Sequence, residues 1–289
     1  MKNANPTIPV SQSARSWFLA SRPKTWIAGL SPVLIGNAMV EGPLHWGLFS
    51  LAVLFALGMQ ITANFANDYF DFLNGADGPT RKGPERAAQM GWLSLPSLRV
   101  GAILTLTLSL VIGLFLALYA GSWALPIVAC AGLASWYYTA GKQPLGYLGL
   151  GELLVFPFFG PIAVVGSYYL QTLEAPMTVW IASIPPALLS CAILVANNLR
   201  DRESDGIAGK RTLVVRYGLT FGRWEYTLLI LLAALIPMAI GVYATLWLIP
   251  AALPWLYIAF RKIEHAPLLP GTALLLVLYT LFFIGTSYR

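Results

Sequence analysis

The chain has 289 residues, 57% hydrophobic and 10% charged, with a mean hydropathy of +0.69. Soluble domains carry about 25% charged residues, so this composition excludes a soluble globular protein and predicts an all-α polytopic membrane protein. A net charge of +6 would suggest nucleic acid in a soluble protein; here the placement of the charges accounts for it, and no nucleic-acid partner is expected.

A bilayer-spanning helix needs ~20 mostly apolar residues. Residues 1–24 are polar or mixed, with Arg15, Trp17, Phe18, Arg22 and Lys24. No small-residue cleavage site follows an apolar core, so no signal peptide is expected. Residues 13–20 read as a short interfacial helix leading into the membrane. Apolar segments then fall at about 25–41, 46–68, 97–120, 122–139, 149–170, 177–199, 223–244, 246–260 and 267–286, predicting about nine transmembrane helices. The segments at 122–139 and 246–260 are short and contain Pro126, Pro250 and Pro254, which a spanning helix tolerates where neighbours re-satisfy its backbone. Cys130 and Cys191 lie in apolar segments without metal-ligand neighbours and are expected as small buried hydrophobes. His45 and His265 fall in short turns.

Charge gives the orientation. With the N-terminus cytoplasmic, the inner segments are 1–24, 69–96, 140–148, 200–222 and 261–266. Of 18 Lys and Arg, 17 lie in these segments or at their flanking helix ends, as the positive-inside rule requires. Two long inner loops follow even-numbered helices that end in Asn and Asp. This pattern predicts an internal duplication, two four-helix halves plus one helix, around a central cavity open to the cytoplasmic side of a single domain, 1–289.

The first polar stretch runs from Asn64 to Asp77 and the second from Asn197 to Asp205. Carboxylates beside hydrocarbon are costly without a cation or a function. At helical spacing Asn64, Asp68 and Asp71 share a face, with Asn67 beside them; Asn198, Asp201 and Asp205 share another, with Asn197 four before Asp201. Asp77 lies beyond Gly75, on a loop. Clustered carboxylates repel unless a cation sits among them. Hard oxygen donors next to bases suit Mg²⁺ bridging a phosphorylated substrate. The candidate metal ligands are therefore Asp68, Asp71, Asp77, Asp201 and Asp205, with Arg81, Lys82, Lys210 and Arg211 facing diphosphate oxygens. Tyr138 and Lys142, four apart at the inner end of the fourth apolar segment, would place a phenol and an ammonium near that diphosphate. An aromatic belt with a topogenic lysine explains the same residues. Gln60 and Glu152 are lone polar residues that would face the same cavity.

These residues resemble the UbiA superfamily of intramembrane aromatic prenyltransferases. The first motif looks like Asn67-Asp68-Tyr69-Phe70-Asp71, the second like Asp201-Arg-Glu-Ser-Asp205, and the Tyr-x-x-x-Lys element like Tyr138–Lys142. Arg22-Pro-Lys24-Thr25, Gly83-Pro-Glu-Arg86, the run Pro144 to Glu152 and Gly209-Lys-Arg-Thr-Leu213 favour the branch acting on 1,4-dihydroxy-2-naphthoate. The departure of Asp77 to six residues after Asp71 fits that branch. The resemblance implies Mg²⁺-assisted ionisation of a polyprenyl diphosphate, attack by the naphthoate carbon that bears the carboxylate, and loss of CO₂. It implies Asp71, Asp201, Tyr138 and Lys142 in catalysis, and Asn64, Asn67, Asn197, Asn198, Arg22 and Lys24 among the substrate contacts. It also implies a multi-pass protein of the bacterial inner membrane with its site facing the cytoplasm. Acceptors such as 4-hydroxybenzoate or homogentisate, and a secondary transporter, are the competing readings. Transporter sites tend to the bilayer midplane, whereas these acids lie at cytoplasmic helix ends.

Overall fold

The computed structural model describes residues 13–75, 83–261 and 265–287, and among these it is helical throughout, with no strand. Helix α1 (Ala14–Ala20) is capped by Ser13 and leads through a 3-10 turn, Pro23–Thr25, into α2 (Trp26–Ala38). Then follow α3 (Trp46–Leu73), α4 (Leu95–Ala120), α5 (Leu125–Tyr137), α6 (Gly151–Phe158), α7 (Pro161–Thr172), α8 (Met177–Ile207), α9 (Leu213–Leu235), α10 (Leu248–Phe260) and α11 (Leu268–Ser287).

Each of the nine apolar segments is helical. Six helices are long and apolar enough to cross a membrane, counting α6 and α7 as one, and two shorter apolar helices cover Ser122–Tyr137 and Ala244–Phe260. The short helix expected at residues 13–20 is present as α1. Helices α3 and α8 run past the predicted ends of their apolar segments, to Leu73 and Ile207, and so carry most of both polar stretches. The fifth apolar segment breaks at Phe159 and Gly160, where Gly160 (φ −133°, ψ −100°) precedes Pro161.

Helix α8 is the central post, packed by α2, α6, α7, α9 and α11. Its buried face, including Leu189, Ala192, Val195 and Ala196, forms the main core with Tyr226, Ile230, Leu248, Leu275 and Phe283. The closest neighbours are α3 with α4 and α8 with α9, so each motif helix is braced by the helix that follows it. Small residues permit close crossings: a Cβ on Gly36 of α2 would run into Ser167 Oγ and the Val164 carbonyl of α7. Hydroxyl pairs tie helices where no water can, as Ser31 with Thr280 (2.5 Å) and Tyr226 with Thr272 (2.7 Å). Cys191 is buried as expected; Cys130 is exposed, because α5 turns that face outward.

Candidate active site

Between α2, α3, α4, α5, α6 and α7 lies an apolar cavity of about 570 Å³. Its far end is walled by Ala52, Leu116, Trp123 and Trp180, and Gln60, Asn64, Asn67 and Tyr138 give it a polar end. From Ala52 to Asn67 along α3 is about 22 Å at 1.5 Å per residue. One turn beyond Asn67 lies Asp71.

Asp71 is 3% exposed. Its Oδ1 accepts from the Tyr147 hydroxyl (2.9 Å) and lies 3.6 Å from Lys210 Nζ; its Oδ2 lies 3.4 Å from Arg86 Nη2. The same Lys210 ammonium is 3.5 Å from Asp205 Oδ1 and 4.8 Å above the centre of the Tyr147 ring. Lys210 therefore joins an acid of α3 to an acid of α8, which brings the two polar stretches to one place. Asp201 is held differently, by the bidentate fork of its neighbour Arg200 (Nε to Oδ1 2.7 Å, Nη2 to Oδ2 2.5 Å), whose Nη2 also donates to Asn197 Oδ1 at 2.5 Å. Asn198 Nδ2 donates to Glu152 Oε1 (3.3 Å), linking the second stretch to the start of α6.

Backbone geometry places Tyr147 and Lys210. The loop after α5 folds back on its own helix end, with Leu145 and Gly146 donating to the carbonyls of Tyr137 and Tyr138. The Arg211 N–H donates to the Tyr147 carbonyl (2.8 Å), and the Arg216 guanidinium to that of Leu148 (2.6 Å). Gly149 sits at φ +75°, open to glycine at no steric cost, and a Cβ there would strike the Arg211 carbonyl. The two inner segments are thereby stitched together directly over Asp71.

The expected site residues fall into distinct groups. Asp71, Asp201, Asp205, Lys210 and Tyr138 gather around the polar end. Asn67 accepts from Thr139 Oγ1 at 2.9 Å, and Asn64 donates to the Ser21 carbonyl (2.8 Å) and Thr25 Oγ1 (3.0 Å), fixing the turn that follows α1. Arg22, in that turn, reaches the Asn64 carbonyl at 3.5 Å from a left-handed backbone (φ 53°). Asp68, expected among the metal ligands, has its oxygens on the backbone amides of Ala87 (2.9 Å) and Ala88 (3.3 Å), where it anchors the segment after α3. Tyr138 and Lys142 do not share a helical face: α5 ends at Tyr137, Gly141 has φ 95°, and Lys142 is exposed. Lys24 and Arg211 are exposed as well. Asp77, Arg81 and Lys82 lie outside the described residues. Among the described residues, no three acidic, His or Cys side chains converge closely enough to hold a metal ion. Cations of the chain itself stand on Asp71, Asp201 and Asp205.

The donor chemistry nevertheless suits a divalent ion. Two hard carboxylates from different helices already reach one cation, and a third lies four residues along α8 from Asp205. Sequence reasoning missed the roles of Tyr147, Arg86 and Arg200. Arg200 stood inside the second polar stretch, a visible signal. Tyr147 lies in the run Pro144 to Glu152 that carries part of the resemblance, but nothing local points it at Asp71.

A bundle of membrane-length helices with an apolar cavity ending on amides, carboxylates and Lys210 is an arrangement suited to a long apolar molecule with a charged head. The model of the UbiA prenyltransferase family matches residues 29–267, and the chain belongs to that family. It is 37% identical over 239 residues to the 1,4-dihydroxy-2-naphthoate octaprenyltransferase of Mycobacterium tuberculosis, covering 81% of this chain and 80% of that protein. It is 34% identical to the enzyme of the same name in Haemophilus influenzae, covering 95% of this chain and 96% of that protein. Its fold is similar to that of a UbiA homolog from Archaeoglobus fulgidus bound to GPP and Mg²⁺, with a TM-score of 0.69 at 14% identity over 95% of this chain and all of that one (100%).

Proposed function

We propose that the protein transfers a polyprenyl group from polyprenyl diphosphate to 1,4-dihydroxy-2-naphthoate with loss of CO₂, a step of menaquinone synthesis. The carrying observation is the convergence of Asp71 and Asp205 on Lys210, beside the amide-lined end of an apolar cavity. The names of the relatives support the acceptor and the octaprenyl-length donor.

The prenyl tail lies in the cavity, where burial of its CH₂ and CH₃ groups holds it at about 25 cal/mol per Å². The diphosphate meets Lys210, with Asn64 and Asn67 at the cavity mouth. Asp71, Asp201 and Asp205 are the residues that would hold Mg²⁺; Asp68 is left out because its oxygens serve the Ala87 and Ala88 amides. When bound, the ion neutralises charge that grows on the departing diphosphate. The residues around it act by electrostatics and positioning. Lys210 carries positive charge towards the leaving group, Tyr147 orients Asp71, and Tyr138 offers an aromatic face to the allylic cation. The apolar walls keep out water that would otherwise capture that cation.

In topology, we take the nine apolar helices as nine spans in two related halves plus one. The N-terminus, the basic loops and the mouth of the cavity then lie on the cytoplasmic side of a bacterial inner membrane. The segregation of Lys and Arg supports this.

The test is prenyl transfer in isolated membranes, offering 1,4-dihydroxy-2-naphthoate, 4-hydroxybenzoate and homogentisate in turn. Transfer to the naphthoate with release of CO₂ is expected, abolished by EDTA and restored by Mg²⁺. Transfer to one of the other acceptors alone would replace the acceptor assignment.

A further inference from the structure

Every acid proposed to hold the ion is paired with a cation of the chain, but the pairs differ in how firmly they are made. Arg200 grips Asp201 with a two-bond fork, and the two side chains are only 5% and 8% exposed. Such a planar fork is rigid and specific. Lys210 makes two longer contacts, 3.5 and 3.6 Å, and its side chain is 18% exposed. Its backbone is fixed, since its N–H donates to the Asp205 carbonyl at 2.8 Å. The charge at the end of its four-carbon stem is not tied by any such fork. It is a rotatable point charge with room to move.

A divalent ion shared by Asp71 and Asp205 would bind their oxygens at ~2.0–2.1 Å, in the space between the carboxylates that the ammonium now fills. Two cations cannot share that space without strong repulsion. We propose that Lys210 and the divalent ion exchange on Asp71 and Asp205, and that the displaced ammonium transfers to a diphosphate oxygen, so that Lys210 couples metal binding to diphosphate binding. This rests on the metal–diphosphate reading of the site. Metal entering alone must push the ammonium off two carboxylates with no anion to receive it. With diphosphate present, the same displacement makes a new charge-assisted bond. The coupling is reciprocal by linkage, so diphosphate arriving alone draws Lys210 away and leaves Asp205 in want of a cation and Asp71 with Arg86 but no ammonium. Lys210 is in this sense a positioning residue for metal as well as a contact for substrate.

The experiment measures Mg²⁺ binding to the purified full chain by calorimetry, at buffered free Mg²⁺, with and without inorganic pyrophosphate. Wild type, Lys210→Met, Lys210→Gln and Lys210→Arg are compared, each checked for a monodisperse elution profile. Without pyrophosphate, Lys210→Met and Lys210→Gln should bind Mg²⁺ roughly tenfold tighter than wild type. The tightening that pyrophosphate confers should shrink by a similar factor, whereas Lys210→Arg, which keeps the charge and can fork onto the carboxylates, should bind Mg²⁺ no tighter than wild type. Two uncharged variants are used so that the failure of one to fold does not remove the test. Mg²⁺ binding that is unchanged or weaker in the uncharged variants overturns the exchange while leaving the metal site standing. Absence of Mg²⁺ binding in every protein, with and without pyrophosphate, overturns the metal reading and the exchange with it.

Discussion

Asp68 and Asp71 sit three residues apart on α3, both buried, and have different partners. Asp68 meets backbone amides; Asp71 meets a phenol, a guanidinium and an ammonium. Asp71→Asn should lower prenyl transfer at least about a hundredfold, the scale of losing one preorganised electrostatic group, with the elution profile of the folded protein retained. Asp68→Asn turns one acceptor into a donor facing an N–H, and should cost about 1–3 kcal/mol of stability, read as a lower midpoint of thermal unfolding in detergent. At this scale the sequence indicated which residues come together better than what each of them touches. The spacing put both acids on one face correctly. Two partners of Asp68 are amides nineteen and twenty residues away, which residues of any side chain could supply, so no pattern encodes them.

The helices themselves were the most legible part, because a bilayer-length run of apolar residues has few other structures open to it. Their ends and breaks were less so. The run at 149–170 is unbroken in hydropathy, yet the chain bends at Gly160, where a Cβ would strike Ala187 and approach the Ser183 carbonyl to 2.6 Å. Hydropathy registers burial, not the direction of a helix axis. The close crossing of α2 and α7 depends on Gly36, and Gly36→Leu should lower stability by about 1–3 kcal/mol through overpacking. Thermal unfolding of the purified protein checks this, with Gly166→Leu on α7, whose Cβ meets nothing within 4 Å, as the near-neutral control.

The whole molecule places a long apolar cavity behind a small charged site, and length selection belongs to that arrangement. Ala52 lines its far end and Ala63 lies near its mouth. Ala52→Trp should spare transfer from a short donor such as geranyl diphosphate and depress transfer from long-chain donors severalfold. Ala63→Trp should depress both. Assays across donors of increasing length distinguish the two outcomes. The convergence of both polar stretches was foreseeable from their matching positions at the ends of two long apolar segments. The bridge that Lys210 forms between them was not, since it depends on how the loop at Tyr147 packs against the segment after α8.

Asp71 has one cation fifteen residues away in sequence, Arg86, and another 139 residues away, Lys210. At about 5–20 residues per second of synthesis, Arg86 follows Asp71 out of the ribosome within roughly 1–3 s, whereas Lys210 takes roughly 7–28 s. Arg86 is therefore available to a buried Asp71 in the nascent first half well before Lys210 is. Arg86→Gln should accordingly lower the yield of correctly inserted protein more than Lys210→Gln does, as measured by protease protection of newly made chains in membranes. The nearer cation is made with the first half, and the distant one arrives only with the second.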